Sequence, residues 1–482
     1  MNEWTVPRPA LAVGLRLNEL GHRVSESNNH LASLMEPFCR KDFSVAQPPV
    51  QLAIVGLGNV GTGVAKILTE HPDRILQRAG RAVEIRRAVV RDLKKPRDVA
   101  LPPGVLTNDL EAVICDPKIQ VAVELMGGIH PAREVVLRLL EAGKDVVTAN
   151  KALLCEHGDE IFQCARRHGR TVCFEAAVAG GIPIIAAVGQ SMAANQILGI
   201  QAILNGTTNY ILSEMLLRGQ SYDEALRQAQ ELGYAETDPT LDVNGTDAAQ
   251  KLGILAQLSF GSKVKATDFH VSGIDKLERV DIQYAKELGY TIKLLARVHL
   301  VDGRLEMSVR PTLIRHDRPL AQIHGPFNAI LLDGDVVGTV WYSGRGAGQL
   351  PTASAVTADI IDLAIGRAQL TFACLDLWRE TSPFELVSLQ DTTSRYFLRL
   401  SVEDRPNVMA EVTGILGRHG ISLATVIQPE APEVDVATES VPSVPLIIMT
   451  HRTSTGSLAA AERELDRLAS VRSPRMVLAV AD

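Results

Sequence analysis

Three short stretches carry residue types that could do chemistry together. Gly56-Leu57-Gly58-Asn59-Val60-Gly61 follows an apolar run at 51–55 and opens a stretch of helical spacing at 60–68. Val146-Val147-Thr148-Ala149-Asn150-Lys151 places a lysine just after another apolar run, and Asp247 and Lys251 stand four residues apart a hundred positions later. A G-x-G-x-x-G turn between strand and helix suits a dinucleotide. The first glycine makes the turn, the second lets the backbone approach a pyrophosphate, and the third packs the helix on the strand with its N-terminus facing the anion. Alone the pattern is weak, because a glycine-rich turn can exist with no ligand; its place between strand and helix favours the dinucleotide. Lysines beside a nicotinamide ring would suit reduction of a carbonyl to an alcohol, since the growing alkoxide needs positive charge and a proton.

Other stretches refine this reading. At the end of the second strand, where NAD sites place an acid for the ribose, the chain reads Arg91-Asp92-Leu93-Lys94-Lys95. Arg91 and the lysines suit a 2′-phosphate, so NADP is favoured; Asp92 keeps NAD open, and a solvated charge run is the plain alternative. Asp247 and Lys251 share a helical face, and on spacing alone a surface ion pair is the better reading. Their company alters the balance: Glu236 and Asp242 precede them in a turn-rich acidic loop, and carboxylates there could bind a substrate ammonium. Residues 174–183, Phe-Glu-Ala-Ala-Val-Ala-Gly-Gly-Ile-Pro, end a strand with one acid and exposed carbonyls. Such a loop could hold a hard cation, although composition alone makes it an ordinary loop.

These residues need elements to hold them. Strands are expected at 51–55, 83–90, 121–125, 145–148 and 171–174, alternating with helices at 60–68 and 133–142. That alternation implies an α/β, Rossmann-type doubly wound parallel sheet. Beyond residue 180 the pattern becomes α+β. Helices are expected at 222–232 and 246–256, strands at 305–311, 329–332 and 337–341, and a long helix at 352–365 after a glycine cluster. The last 90 or so residues read β-α-β-β-α-β, with strands at 396–402, 422–428, 446–450 and 476–480 and helices at 407–419 and 458–468. A proline-rich acidic loop, expected to be mobile, fills 429–445. The resulting division is an N-terminal extension (1–48), a dinucleotide-binding domain (49–178, completed by 344–370), a catalytic and dimerisation domain (179–343) and a regulatory unit (394–482).

Length and composition set outer bounds. A chain of 482 residues accommodates roughly three domains of about 150 residues each and needs no disulfide staple. A formal charge of −7, with no basic stripe, argues against nucleic acid as a partner. No apolar run approaches a membrane span. The six cysteines form no C-x-x-C pair, as expected of reduced thiols in a cytoplasmic enzyme. Residues 1–48 scatter apolar positions such as Leu11, Val13 and Leu20 among turn formers and acids. This segment is expected to be a poorly ordered extension, neither a signal nor a transit peptide.

Taken together, these segments resemble homoserine dehydrogenase with a C-terminal ACT domain. The resemblance runs in family order through residues 54–61, 124–128, 142–153, 175–185, 203–212, 233–251 and 346–359 and extends through the last unit. Its most specific parts are Asn205-Gly206-Thr207-Thr208-Asn209-Tyr210 and Asp242-x-Asn244-Gly245-x-Asp247-x-x-x-Lys251. It implies reversible NAD(P)H-dependent reduction of L-aspartate 4-semialdehyde to L-homoserine, in threonine, methionine and isoleucine synthesis. It implies Lys251 as proton donor, Lys151 touching cofactor and substrate, Asp247 near the reacting centre, and Glu236 with Asp242 on the substrate. It implies cofactor contacts at Gly56, Gly58, Asn59, Val60, Gly61, Arg91, Gly127, Thr148, Lys151 and Gly346. It further implies sodium on Glu175 and the carbonyls of Val178, Gly180 and Ile182. From ACT domains come association into a homodimer or homotetramer and an amino-acid effector such as threonine, with Asn407 and Gly420 as its candidate contacts. A rival from another class is a sensor of cofactor and amino acid without turnover; the retained lysines and carboxylates argue against it.

Overall fold

Val50–Val55 (β1) runs straight into Gly56, whose φ of 104° is open to glycine but strained for other residues, and Asn59–Glu70 (α1) follows at once. A Cβ on Gly61 would lie 2.2 Å from the Gly56 carbonyl oxygen, so the helix can approach the turn only because position 61 is bare. The chain then alternates through Val83–Val89 (β2), Leu106–Thr107 (β3), Val121–Glu124 (β4), Ala132–Glu141 (α2), Asp145–Thr148 (β5), Lys151–Arg167 (α3) and Val172–Cys173 (β6). These strands pair in parallel in the order β3-β2-β1-β4-β5-β6. The order reverses between β1 and β4, which opens the crevice where such sheets bind ligands.

This computed structural model describes residues 47–375, 377–378, 382–429 and 442–481. The expectations for the first 46 residues and for 430–441 of the acidic loop lie outside them. At its far end that loop is shorter than expected, since Ser443–Pro445 already belongs to a strand.

The second sheet is built on Ile197–Ile203 (β7), Tyr290–Val301 (β8), Arg304–Arg315 (β9), Phe327–Gly334 (β10) and Gly338–Arg345 (β11). Gly206–Arg218 (α4), Tyr222–Glu231 (α5), Thr246–Phe260 (α6) and Arg279–Glu287 (α7) belong to the same region of the chain. Strands β7 and β8 were not expected. Ile197–Ile203 lacks alternation, and Tyr290–Val301 carries helix formers, but a twelve-residue antiparallel ladder with β9 overrides local preference. Gln349–Ile365 (α8) returns the chain to the first sheet: its Ala353, Val356, Ile360 and Leu363 share one buried core with Leu52, Ile54 and Val64. Close contact between α8 and α1 requires Gly63, where a Cβ would stand 2.9 Å from the Gln349 side chain.

The C-terminal unit is Thr393–Glu403 (β12), Val408–Arg418 (α9), Leu423–Ile427 (β13), Ser443–Thr450 (β14), Thr455–Leu465 (α10) and Val471–Ala481 (β15). That is the expected β-α-β-β-α-β order, around its own core of Leu398, Leu400, Val412, Leu416 and Leu446. Its sheet does not stand alone. Ala479–Ala481 pair in parallel with Thr312–Ile314, so the second sheet continues as β11-β10-β7-β8-β9-β15-β12-β14-β13.

An ion pair reinforces this junction. Arg399 on β12 donates to both oxygens of Asp281 on α7, at 2.5 and 3.2 Å, and lies 2.9 Å from Glu278. Asp281 is fully buried and Arg399 nearly so. Removing one member of such a pair strands the other charge. Arg399→Met is expected to lose about 3–5 kcal/mol, seen as a lower urea midpoint, whereas Arg475→Met at a half-exposed pair should move it little.

Candidate active site

The residues singled out around position 247 meet at one carboxylate. Asp247 stands at the start of α6, where a helix N-terminus favours an anion. Gly245, at a φ of 87°, makes the turn that leads in. Asp247 Oδ2 receives Lys251 Nζ at 2.7 Å and Asn205 Nδ2 at 2.9 Å, while Oδ1 lies 3.2 Å from Lys151 Nζ. Asn205 Nδ2 also donates to Asp242 Oδ1 at 2.7 Å. The spacing of Asp247 and Lys251 is that of a surface pair, yet both are buried, at 7% and 9% exposure.

Burial works against the Asp247 charge. Lys251 and Lys151, with hydrogen bonds from Lys251 and Asn205, outweigh it and hold the pKa down at about 2. Asp242 goes the other way: burial first, then the neighbouring Asp247, raise it, against the Asn205 bond. Lys251 Nζ has three donors. One goes to Asp247 and one to the Leu204 carbonyl at 2.8 Å; the third has no protein partner among the described residues. Lys151 is 35% exposed at its side chain and opens α3 behind Asn150, whose Oδ1 caps Leu153 N at 3.2 Å. The two lysine helices are also tied by Cys155, whose thiol donates to Gln250 O at 3.1 Å. Burial pushes that thiol up to about 12, so it is inert.

The glycine-rich turn lines a cleft in the first unit. Gly56 and Gly58 line a cleft of about 680 Å³ together with Arg91, Asp92, Lys95, Arg97, Leu125 and Met126. Nothing stands within 4 Å of where a Gly58 Cβ would be, so the backbone is bare toward the cleft, as a pyrophosphate requires. Asp92 is partly spent inside its own loop: Oδ1 accepts Lys94 N at 2.8 Å. Arg91 is exposed at the rim. Gly127 is left-handed and Thr148 is buried at the end of β5. Asn59 O accepts Gln349 Nε2 at 3.0 Å, which joins the turn to the returning helix. Gly346 is buried in the loop before that helix, packed on Asn328 and on Gly180.

The loop at 175–182 fits a hard cation in one respect and departs from the expectation in another. Ala179 and Gly180 are both left-handed, at φ 53° and 47°, an arrangement that turns successive carbonyls and is uncommon for alanine. Glu175, however, accepts Ile185 N and Ala186 N on its two oxygens, at 2.9 and 2.8 Å. Burial raises its pKa to about 6 against those bonds. Its side chain therefore offers a buried negative charge, with both oxygens already committed to the backbone.

A nucleotide crevice and a two-lysine, two-carboxylate cluster fit what the comparisons with known proteins return. The model of the NAD-binding domain of homoserine dehydrogenase matches residues 56–175, and that of homoserine dehydrogenase itself matches 183–361. The homoserine dehydrogenase of Synechocystis is 42% identical over 442 residues, covering 89% of this chain and 99% of that protein. The chain belongs to the homoserine dehydrogenase family. It is an NAD(P)-dependent oxidoreductase that acts on a CH–OH group. A crystal structure of the Thiobacillus denitrificans enzyme is 40% identical with a TM-score of 0.83, covering 91% of this chain and 99% of that one. A hyperthermophilic archaeal homoserine dehydrogenase in complex with NADPH is 26% identical with a TM-score of 0.54 over 69% of this chain.

Among the expected site residues, Lys151, Asp242, Asp247 and Lys251 come together. Glu236 does not join them: it is exposed after α5, and its carboxylate enters no hydrogen bond or ion pair among the described residues. Asn205, part of a motif in the sequence, donates to both Asp242 and Asp247. Its signal was partial: an asparagine ahead of Gly-Thr-Thr suits a helix cap, but the strand before it, β7, is not legible in the sequence. The burial of Glu124 at a strand end is likewise invisible in sequence.

Proposed function

We propose that the chain catalyses the reversible reduction of L-aspartate 4-semialdehyde to L-homoserine, with NADPH preferred over NADH, on the route to threonine, methionine and isoleucine. One observation carries this reading: two lysines from different helices share one buried carboxylate, and Lys251 keeps a free N–H. The reduced nicotinamide, when bound, supplies a hydride to the aldehyde carbon. Lys251 Nζ, fixed by Asp247 and Leu204 O, directs its remaining proton at the aldehyde oxygen, and Lys151 adds a second positive charge there. Asp242 receives the substrate ammonium, which relieves the penalty of a buried carboxylate beside Asp247. Glu236 is proposed for the same ammonium on the family resemblance alone, since it stands exposed and apart from Asp242 here.

The preference for NADPH rests on the rim of the nucleotide cleft, where Arg91, Lys95 and Arg97 outnumber Asp92. A monovalent cation, sodium by its fit to carbonyl oxygen, is proposed on the carbonyls of Val178, Gly180 and Ile182, with Glu175 supplying charge. Residues 394–481 would act as an ACT-like unit that binds threonine. Asn407 and Gly420 flank a helix of eleven residues, about 16 Å long. A single amino acid can touch both only where two copies meet. A homodimer or homotetramer in the cytoplasm is the proposed assembly; Trp341 on the edge strand β11, and Val336 and Val337 in the hairpin turn that leads into it, are more than half exposed. No described helix is long and apolar enough to cross a membrane.

The reaction is tested by NADPH oxidation dependent on aspartate semialdehyde. Lys251→Ala should lower kcat by roughly 10² to 10⁴ with cofactor affinity nearly unchanged; near-normal turnover would sink the proton-donor role. Arg91→Ala should weaken NADPH more than NADH, because only the former loses a phosphate contact, and equal losses would acquit Arg91. Threonine titrated into the full chain should inhibit, and a chain cut before Thr393 should not respond. Equal response of both would remove the effector from the C-terminal unit.

A further inference from the structure

We propose that Glu124 is a positioning residue for the reaction: its carboxylate sets the direction of a hydrogen-bond chain that fixes the Lys151 turn and the floor of the nicotinamide site. The inference rests on the proposed reaction. Glu124 ends β4 at the crevice where the strand order reverses, and it is fully buried. Each of its oxygens takes one proton. Oε1 accepts Met126 N at 2.7 Å, and Oε2 accepts the Thr148 hydroxyl at 2.7 Å. The hydroxyl has a single proton, so having given it to Glu124 it meets its other neighbour only as an acceptor. That neighbour is Asn150 N, at 3.0 Å. Asn150 then uses both ends of its side chain: Nδ2 donates to Gly128 O at 2.6 Å, and Oδ1 caps α3. Lys151 is the next residue.

Backbone N–H groups and a carbonyl fix the sense of the other links, and the Thr148 hydroxyl, the one member that could point either way, takes its direction from Glu124. The chain also closes on itself. Met126, Gly127 and Gly128 are held at one end by Glu124 and at the other by Asn150, and Met126 lines the nucleotide cleft. Gly127 and Gly128 are both left-handed, at φ 71° and 70°, so the segment is held in its shape from outside. One carboxylate thus governs two surfaces the reaction uses, the cleft floor and the lysine beside Asp247.

A glutamine at 124 has the same shape and the wrong pattern. With its oxygen toward Met126 N, its NH₂ confronts the Thr148 hydroxyl and displaces that proton. With its oxygen toward Thr148, its NH₂ opposes Met126 N donor to donor. In the first case the Thr148 hydroxyl proton loses its acceptor and in the second Met126 N loses its partner, so the chain that holds the lysine turn is broken at one member while the fold's apolar contacts stay intact.

The experiment compares the full-length wild type, Glu124→Gln, Thr148→Val, Thr148→Ser and the double variant Glu124→Gln/Thr148→Val. Stability is read by thermal melting, NADPH affinity by fluorescence, and steady-state kinetics with NADPH or NADPH deuterated at the transferred position. Glu124→Gln should lower kcat by about 10- to 100-fold, the scale of a small misplacement of a reacting group, with a larger deuterium effect on kcat and weaker NADPH binding. Thr148→Val should match it, Thr148→Ser, which keeps the hydroxyl, should lose less than Thr148→Val, and the double variant should be no worse than the poorer single one. Full turnover in folded Glu124→Gln would overturn the inference, as would a double loss equal to the product of the single losses. If Glu124→Gln does not fold, the contrast between Thr148→Val and Thr148→Ser decides, and equal activity in those two overturns it. A wild type that binds NADPH but does not oxidise it with the semialdehyde refutes the proposed reaction instead. The NADPH affinities of the variants then decide the role of Glu124.

Discussion

The site depends on one buried anion. Asp247 is the point where a lysine from the nucleotide half, a lysine from its own helix and an asparagine from a third helix converge. Like charges repel by about 4 kcal/mol at roughly 4 Å when the effective dielectric is about 20, so two ammonium groups crowd one region only if a carboxylate lies between them. The helices add to this balance. Lys151 begins α3, Asn205 caps α4 and Asp247 stands in the first turn of α6, so three helix N-termini face the same spot. Their positive ends stabilise the Asp247 charge. They would equally stabilise negative charge growing on a substrate oxygen held there.

That convergence needs the two sheets to be joined closely. The chain crosses from the first to the second at 175–205 and returns through the loop before α8, and the two crossings touch. Gly181 N donates to Arg345 O at 3.0 Å, and a Cβ on Gly180 would stand 2.5 Å from Gly346 O. Glycine at these positions is therefore a matter of backbone contact, whatever ligand the loop also holds. Gln349 then reaches Asn59 O, which ties the glycine-rich turn to the helix that follows the second crossing.

Much of this was legible in sequence, for identifiable reasons. The first sheet announced itself because parallel strands buried on both faces read as short apolar runs separated by helices. The glycines at 56 and 61 sit where only a bare backbone permits the turn, and Gly58 leaves the backbone open toward the cleft. Asp247 and Lys251 were visible as a pair but not as a buried one, since spacing carries no information on what covers a helix face. The β8 strand was illegible for a related reason. Its Lys293 is fully buried, and no local pattern marks a lysine that faces the interior. The reach of Asn205 to two carboxylates 37 and 42 residues away is likewise a property of the fold.

Lys293 shows how the second sheet supports the site. Burial brings its pKa down to about 7, and it donates to two neutral oxygens, Asn209 Oδ1 at 2.9 Å and Ile323 O at 2.5 Å. A neutral amine still carries two protons, so both bonds survive deprotonation and no buried carboxylate is needed to keep the group in place. Asn209 in turn donates to the carbonyls of Ile323, Gly325 and Phe327, which pins α4 one turn beyond Asn205. Lys293 stands opposite Thr312 in the β8–β9 ladder, and Thr312 stands opposite Ala479 of the C-terminal unit. The helix that aims Asn205 at Asp247 is thus bonded to a strand whose neighbour carries the C-terminal unit on its other edge. A contiguous path of this kind couples distant sites only where some member has two arrangements. Lys293, charged or neutral with the same two bonds, keeps one arrangement and so acts as a fixed strut for α4.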